Sequence, residues 1–268
     1  MYSIESVLRG VGRDPLQLMV AAKVSKVLLQ TLFFGVGLVL LKKSIGPEIP
    51  LISGALIAFG PFLTGLDSAL HVDGMAAITT FAGFCAIVYA AEESDLSQVR
   101  RKPLVLWAVA GFLCATAWLT RYPAILLLGV AGLGLLLQMI FLSRTQNKPT
   151  IPVQLRSSLA YGLTWLTSGL LATVLLWPAL WVEPRATLVD MWNYYVEAAN
   201  QGHENPLIFM GVVKSGDPGW LFYPVSILWR TSVTDWVGIV TLIVFGAWAR
   251  KQGLLTNKMI RLLVMMLV

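Results

Sequence analysis

Charged residues are scarce in this chain. Asp, Glu, Lys and Arg make up 13% of its 268 residues and hydrophobic side chains 57%, about half the charge of an ordinary water-soluble domain. With a mean hydropathy of +0.73, that scarcity excludes a soluble globule and a disordered chain alike. Cysteine is nearly missing: Cys85 and Cys114 lie in apolar runs, at different depths by position, so packing is expected rather than a disulfide framework. Histidine is confined to His71 and His203, with no Cys or Glu beside either at ligand spacing, so no metal site built from protein ligands alone is expected. No internal repeat is present, and such repeats mark many transporter folds.

What the chain has instead is long apolar runs, each near the ~20 residues that cross a bilayer as helix. They fall at about 24–41, 49–66, 74–91, 103–120, 123–143, 158–181 and 233–249, and a further one begins near Met259. Continuous hydrophobicity of this length specifies helices rather than barrel strands, because lipid-exposed backbone must satisfy its own hydrogen bonds. The expected fold is all-α: a polytopic transmembrane helix bundle of seven to eight spans in a single domain covering residues 1–268. Glycines inside the runs, as in "AGLGLLL", suit close helix packing.

The basic residues divide unevenly between alternate connections. Lys42 and Lys43, Arg100 to Lys102, Arg144, Lys148 and Arg156, and Arg250, Lys251, Lys258 and Arg261 fall on one set; only Arg121, Arg185, Lys214 and Arg230 fall on the other. Lys and Arg favour the cytoplasmic side, so the stretch "DSALHVDGM" (67–75) and the long segment 182–232 are expected outside. The net charge of +6 then reports topology, and nucleic acid is not an expected partner. The first span should start outside, yet no apolar segment lies in Met1–Asp14, and the closing run "LLVMMLV" is too short to cross. A longer parent protein is therefore expected.

The outer segment 182–232 is long for a mere connection. In "RATLVDMWNYYVEAAN", Leu188, Met191, Trp192, Tyr195 and Ala199 share one helical stripe, while Asp190, Asn193 and Glu197 line another. This pattern fits an amphipathic helix lying in the outer headgroup layer, either as a structural paddle or in contact with a lipid-borne substrate. Beyond it, His203, Lys214, Tyr223 and Arg230 stand among Trp, Phe, Gly and Pro. Rings beside hydrogen-bonding cations suit a sugar or phosphate site, and an interfacial aromatic belt has the same composition. Lys23, Lys26 and Gln30 share a face inside or at the edge of the first span; such charges point into the bundle or snorkel to the headgroups.

The runs "AAKVSKVL", "GPFLTGLDSALHVDGM", "ATAWLTRYPAILLL", "LLWPALWVEPRATL", "HENPLIFMG" and "DPGWLFYPVSILWRTS", in that order from about Leu16 to Ala249, resemble bacterial membrane glycosyltransferases. The resemblance is to the GT-C superfamily, in its protein-O-mannosyltransferase and aminoarabinose-transferase neighbourhood (families 39 and 83). It implies transfer of a sugar from a polyprenyl-phosphate donor to a protein or lipid acceptor at the outer face of a bacterial plasma membrane. No cofactor is implied. The family's main catalytic acid sits in the first outer loop, which on this alignment precedes residue 1, so this chain alone is expected to be inactive. Asp73 matches the acid that heads the family's next outer helix, and an Asp there also caps a helix N-terminus. His71 could orient that acid, bind donor phosphate or assist a metal. Lys23 and Arg121 match basic positions at outer helix ends in the family. Because outer cations are costly to leave unpaired, at least two of Lys23, Arg121 and Arg230 are expected to converge on the donor phosphate, with Asp73 and His71 at the pocket wall and Tyr223 facing the sugar. His203 and Lys214 are further candidate substrate contacts. The rival from another class is a transporter or flippase-like protein that handles a lipid-linked substrate without chemistry.

Overall fold

Proline and glycine set the helix boundaries in the computed structural model, which describes residues 14–60, 65, 72–142, 150–200, 207–214, 219–231 and 233–252. Helix α1 (Pro15–Ile45) opens with Asp14 as cap, its carboxylate accepting from the Leu16 N–H at 3.0 Å, and with Pro15 at a position where no N–H is needed. It ends at Gly46, whose φ of +93° favours glycine. Helix α2 (Glu48–Ala58) follows, then α3 (Val72–Glu93) and α4 (Arg101–Thr120). A 3₁₀ turn (Tyr122–Leu126) leads into α5 (Leu127–Leu142), and α6 covers Ile151–Leu176. Five helical stretches among the described residues are long and apolar enough to cross a membrane: most of α1, all of α3, α4 and α6, and Tyr122–Ile140.

Several expected boundaries shift for local reasons. Within the run expected at about 49–66, Glu48–Ala58 forms the 11-residue α2 and Gly65 is helical, while 61–64 and 66 lie outside the described residues. Phe59 closes that helix and Gly60 precedes Pro61, a placement that disfavours helical backbone. The span expected at about 158–181 begins earlier, at Ile151, because Pro152 is tolerated in a first turn, and stops at Leu176 ahead of Pro178. Lys23 and Lys26, expected inside or at the edge of a span, lie on α1 toward the Asp73 end of the unit.

The described residues form two compact units, 14–176 and 177–252. In the first, residue contacts fix the helix directions. Gly37 abuts Phe81 and Ala82, and Lys43 stands over Tyr89, so α1 and α3 run parallel. Gly83 meets Cys114 while Ser94 meets Trp107, so α4 returns antiparallel to α3. Gly83 also meets Leu127, and Ser94 bonds Gln138, which makes α5 parallel to α3. Ala108 bonds Ser168 and Gly111 abuts Gly169, which makes α6 parallel to α4. The unit thus has one end at Asp73 and Arg121 and another at Ser94. The α3–α4 register also corrects an expectation: Gly83 touches Cys114, so Cys85 lies at nearly the same depth as Cys114, and both are free and buried.

Core packing concentrates on α3 and α4, where Ile87, Ala90, Trp107, Ala110 and Ala117 are fully buried. At the Ser94 end, buried polar groups close the bundle. The Trp107 indole N–H donates to the Ser94 hydroxyl at 2.8 Å, and the Gln138 amide donates to the Ser94 carbonyl.

The second unit holds a short α7 (Ala179–Val182) and α8 (Pro184–Asn200), the latter over the stretch expected as an amphipathic helix. A hairpin pairs β1 (Leu207–Phe209) with β2 (Val212–Lys214) in the register Leu207↔Lys214, Ile208↔Val213 and Phe209↔Val212. Its two turn residues, Met210 and Gly211, have φ of 53° and 80°, the left-handed pair that tight hairpin turns require. Phe209 is buried against Phe222 of α9 (Phe222–Arg230), with ring centroids 5.5 Å apart. Helix α10 (Val233–Lys251) completes the described chain.

Candidate active site

The N-terminus of α3 and the C-terminus of α4 meet because the two helices are antiparallel and nearly matched in length. Asp73 lies in the first turn of α3. Arg121 is the residue on which α4 stops: its backbone turns extended at φ −159°, its N–H still donates to the Ala117 carbonyl at 3.0 Å, and Pro123 opens the next turn. That reversal aims the guanidinium back at α3, where Nη1 forms an ion pair with Asp73 Oδ1. Both side chains keep partial access to the outside, at 45% for Arg121 and 27% for Asp73. A pair exposed to this degree contributes little to folding, so stability alone is a weak reason for it.

Beside the pair opens a cleft of about 730 Å³, a size typical of small-molecule sites. Its lining is charged at Asp73 and Arg121 and otherwise largely apolar, with Phe81 and Phe84 from α3, Pro123 and Leu127, and with Thr80 as the one hydroxyl. The α3 N-terminus adds a positive dipole end near the mouth. The arrangement sets a paired cation and carboxylate beside an open, largely apolar cleft.

The structure brings together two of the sequence-predicted site residues, Asp73 and Arg121. Lys23 is exposed on α1 and is not among the residues lining the cleft. His71 and His203 lie outside the described residues. Lys214 ends β2 and Arg230 ends α9, and their side chains lie outside the described set. Tyr223 is exposed on α9, its ring 5.4 Å from that of Phe222. Among the described residues no group of three or more His, Cys, Asp or Glu side chains could hold a metal ion.

Sequence reasoning missed Thr80, Phe81 and Phe84. The signal was the polar pair Thr79–Thr80 interrupting an apolar run, with two Phe residues beyond it on a helical stripe. Thr79 satisfies itself by donating to the Met75 carbonyl at 2.9 Å, which leaves Thr80 as the one turned to the cleft. Comparison with known proteins returned no matching family model, no matching curated protein and no matching solved structure.

Proposed function

We propose that this chain belongs to an integral-membrane glycosyltransferase that takes a sugar from a polyprenyl-phosphate donor at the outer face of the membrane. The supporting observation is the Asp73–Arg121 pair at the mouth of an apolar, aromatic-walled cleft. In this reading the bundle has seven to eight spans, the Asp73 end faces outward, and α8 lies along the outer headgroup layer.

A lipid-phosphate donor has three parts, and the cleft offers a surface for each. Phe81, Phe84 and Leu127 accommodate the polyprenyl chain, Arg121 neutralises the phosphate with charge-assisted hydrogen bonds, and Asp73 faces the sugar side. In the reaction an acceptor hydroxyl oxygen bonds to the anomeric carbon of the sugar as the bond from that carbon to the phosphate oxygen breaks. The bonding electrons leave with the polyprenyl phosphate, whose charge Arg121 balances, and a carboxylate takes the acceptor proton. Asp73 can serve in that role or hold Arg121 in place while another acid does so.

The test uses membranes carrying the protein expressed from its natural reading frame. A radiolabelled polyprenyl-phosphate sugar should lose its label to an acceptor, and Arg121→Ala should raise the KM for donor about ten- to hundredfold, the loss of one hydrogen bond to a charged group. Movement of intact donor across the bilayer, with no sugar transferred, would replace this reading with the transporter one.

A further inference from the structure

The end of the bundle remote from the cleft carries a charged surface that the transferase reading does not use. There α1 finishes with Lys42 and Lys43, α3 finishes at Glu93, and α4 begins with Arg101 and Lys102. Tyr89 and Glu93 lie one turn apart at the end of α3, so groups held by the two share one stripe of that helix. The Lys43 ammonium lies 5.7 Å from the centroid of the Tyr89 ring, and Lys102 pairs with Glu93, one turn further along the same helix. Acids are present too: Glu93 pairs with Lys102, Asp95 pairs with Arg100 at 3.3 Å, and Glu48 opens α2. Lys42, Lys43 and Arg101 are exposed at this end.

Lys43 also terminates an apolar lane. Leu28, Leu32, Gly35, Val39 and Lys43 recur at i, i+4, i+7, i+11 and i+15, one stripe of α1. Leu28, Leu32 and Val39 are 66%, 61% and 53% exposed, and nothing approaches the position a Cβ would take at Gly35. A hydrocarbon track about as long as an acyl chain therefore ends under a cation that is itself steadied by an aromatic ring.

We propose that this end binds an anionic phospholipid, with its phosphate held by Lys43 and Lys102 beside Tyr89 and an acyl chain laid along the Leu28–Val39 lane. Lys102 can keep Glu93 and still donate to a phosphate, because an ammonium has three N–H groups. A choline headgroup would bring its own cation against Lys42 and Lys43, so the site discriminates by net headgroup charge. This inference depends on membrane placement and is independent of the transferase reading.

The full chain reconstituted in nanodiscs of equimolar phosphatidylcholine and phosphatidylglycerol tests it, with native mass spectrometry counting retained lipid. Wild type should retain phosphatidylglycerol preferentially. Lys43→Gln, which leaves the Lys102–Glu93 pair intact, should cut that preference about fivefold, and Lys43→Gln with Lys102→Gln should abolish it. Arg156→Gln, an exposed cation of the same end outside the cradle, should retain the preference. Equal losses in Arg156→Gln and Lys43→Gln, no preference in wild type, or displacement of the lipid by millimolar inorganic phosphate would each overturn the assignment.

Discussion

Gly111 and Gly35 belong to helices of one bundle and should respond oppositely to the same substitution. A Cβ at Gly111 would lie 2.2 Å from the Trp165 carbonyl oxygen and 3.1 Å from the Gly169 nitrogen, both backbone atoms that cannot step aside. Gly111→Ala must therefore push α4 from α6, at a cost of about 1–3 kcal/mol or more. Gly35→Ala meets open space and should gain up to about 1 kcal/mol from helix propensity. Thermal unfolding of both variants in the same detergent checks the contrast. Asp73 and Arg121 pose a different question, whether their pairing is structural or chemical. The exchanged double variant, Asp73→Arg with Arg121→Asp, should recover whatever stability the single variants lose while leaving sugar transfer as low as in Arg121→Ala. Full recovery of transfer by the exchange would show that only the pairing matters. The sequence made both residues visible, since a charge at a span end needs a reason. It left Thr80, Phe81 and Phe84 hidden, because an apolar helix face reads the same whether it packs on protein or lines a cleft.

At the scale of the element, the α3–α4 connection is held by polar contacts whose partners come from three other segments. The Tyr161 hydroxyl, from α6, donates to the Gln98 carbonyl at 3.2 Å and accepts from the Arg100 N–H at 3.3 Å. Ser94 accepts from Trp107 and donates to the Ala90 carbonyl at 2.7 Å. Ser94→Ala would leave a fully buried indole N–H without its acceptor and should cost about 1–3 kcal/mol. Asp95 gives the connection a pH dependence. Hydrogen bonds from Ser97, with Arg100 nearby, hold its carboxyl below the usual aspartate value despite partial burial. Because the folded-state pKa is the lower one, its stabilisation is complete above about pH 4 and is lost as pH falls through the depressed value. Acid unfolding of Asp95→Asn should therefore lack that component, and an unchanged acid limb would show that the carboxylate contributes nothing. Such contacts were not legible beforehand, since Tyr161 and Gln98 are far apart in the chain. Asp14–Pro15, Gly60–Pro61 and Pro178 each mark a boundary by local backbone chemistry, but the runs read at 24–41, 49–66 and 158–181 follow hydropathy alone and miss these signals.

For the molecule as a whole, direction carries more information than any single contact. Since α1 and α3 are parallel, the chain between Gly46 and Val72 must travel back from the Ser94 end to the Asp73 end, a return that α2 covers in part. The alternating order expected from hydropathy has the same consequence, which is why topology was readable where packing partners were not. The ends also differ in charge: Lys42, Lys43, Arg100, Arg101, Lys102 and Arg156 gather near Ser94, whereas Lys23, Lys26 and Arg121 lie toward Asp73. The bias of basic residues toward the cytoplasm then predicts the Ser94 end inside and the cleft mouth outside. Single cysteines can check this cleanly, because the native Cys85 and Cys114 are buried and should give little background. In intact cells a membrane-impermeant maleimide should label Tyr122→Cys, whose position is exposed beside the cleft mouth, and should spare Ser97→Cys until the membrane is opened. Labelling in the reverse order would turn the Asp73–Arg121 mouth toward the cytoplasm, out of reach of any donor presented on the outer leaflet.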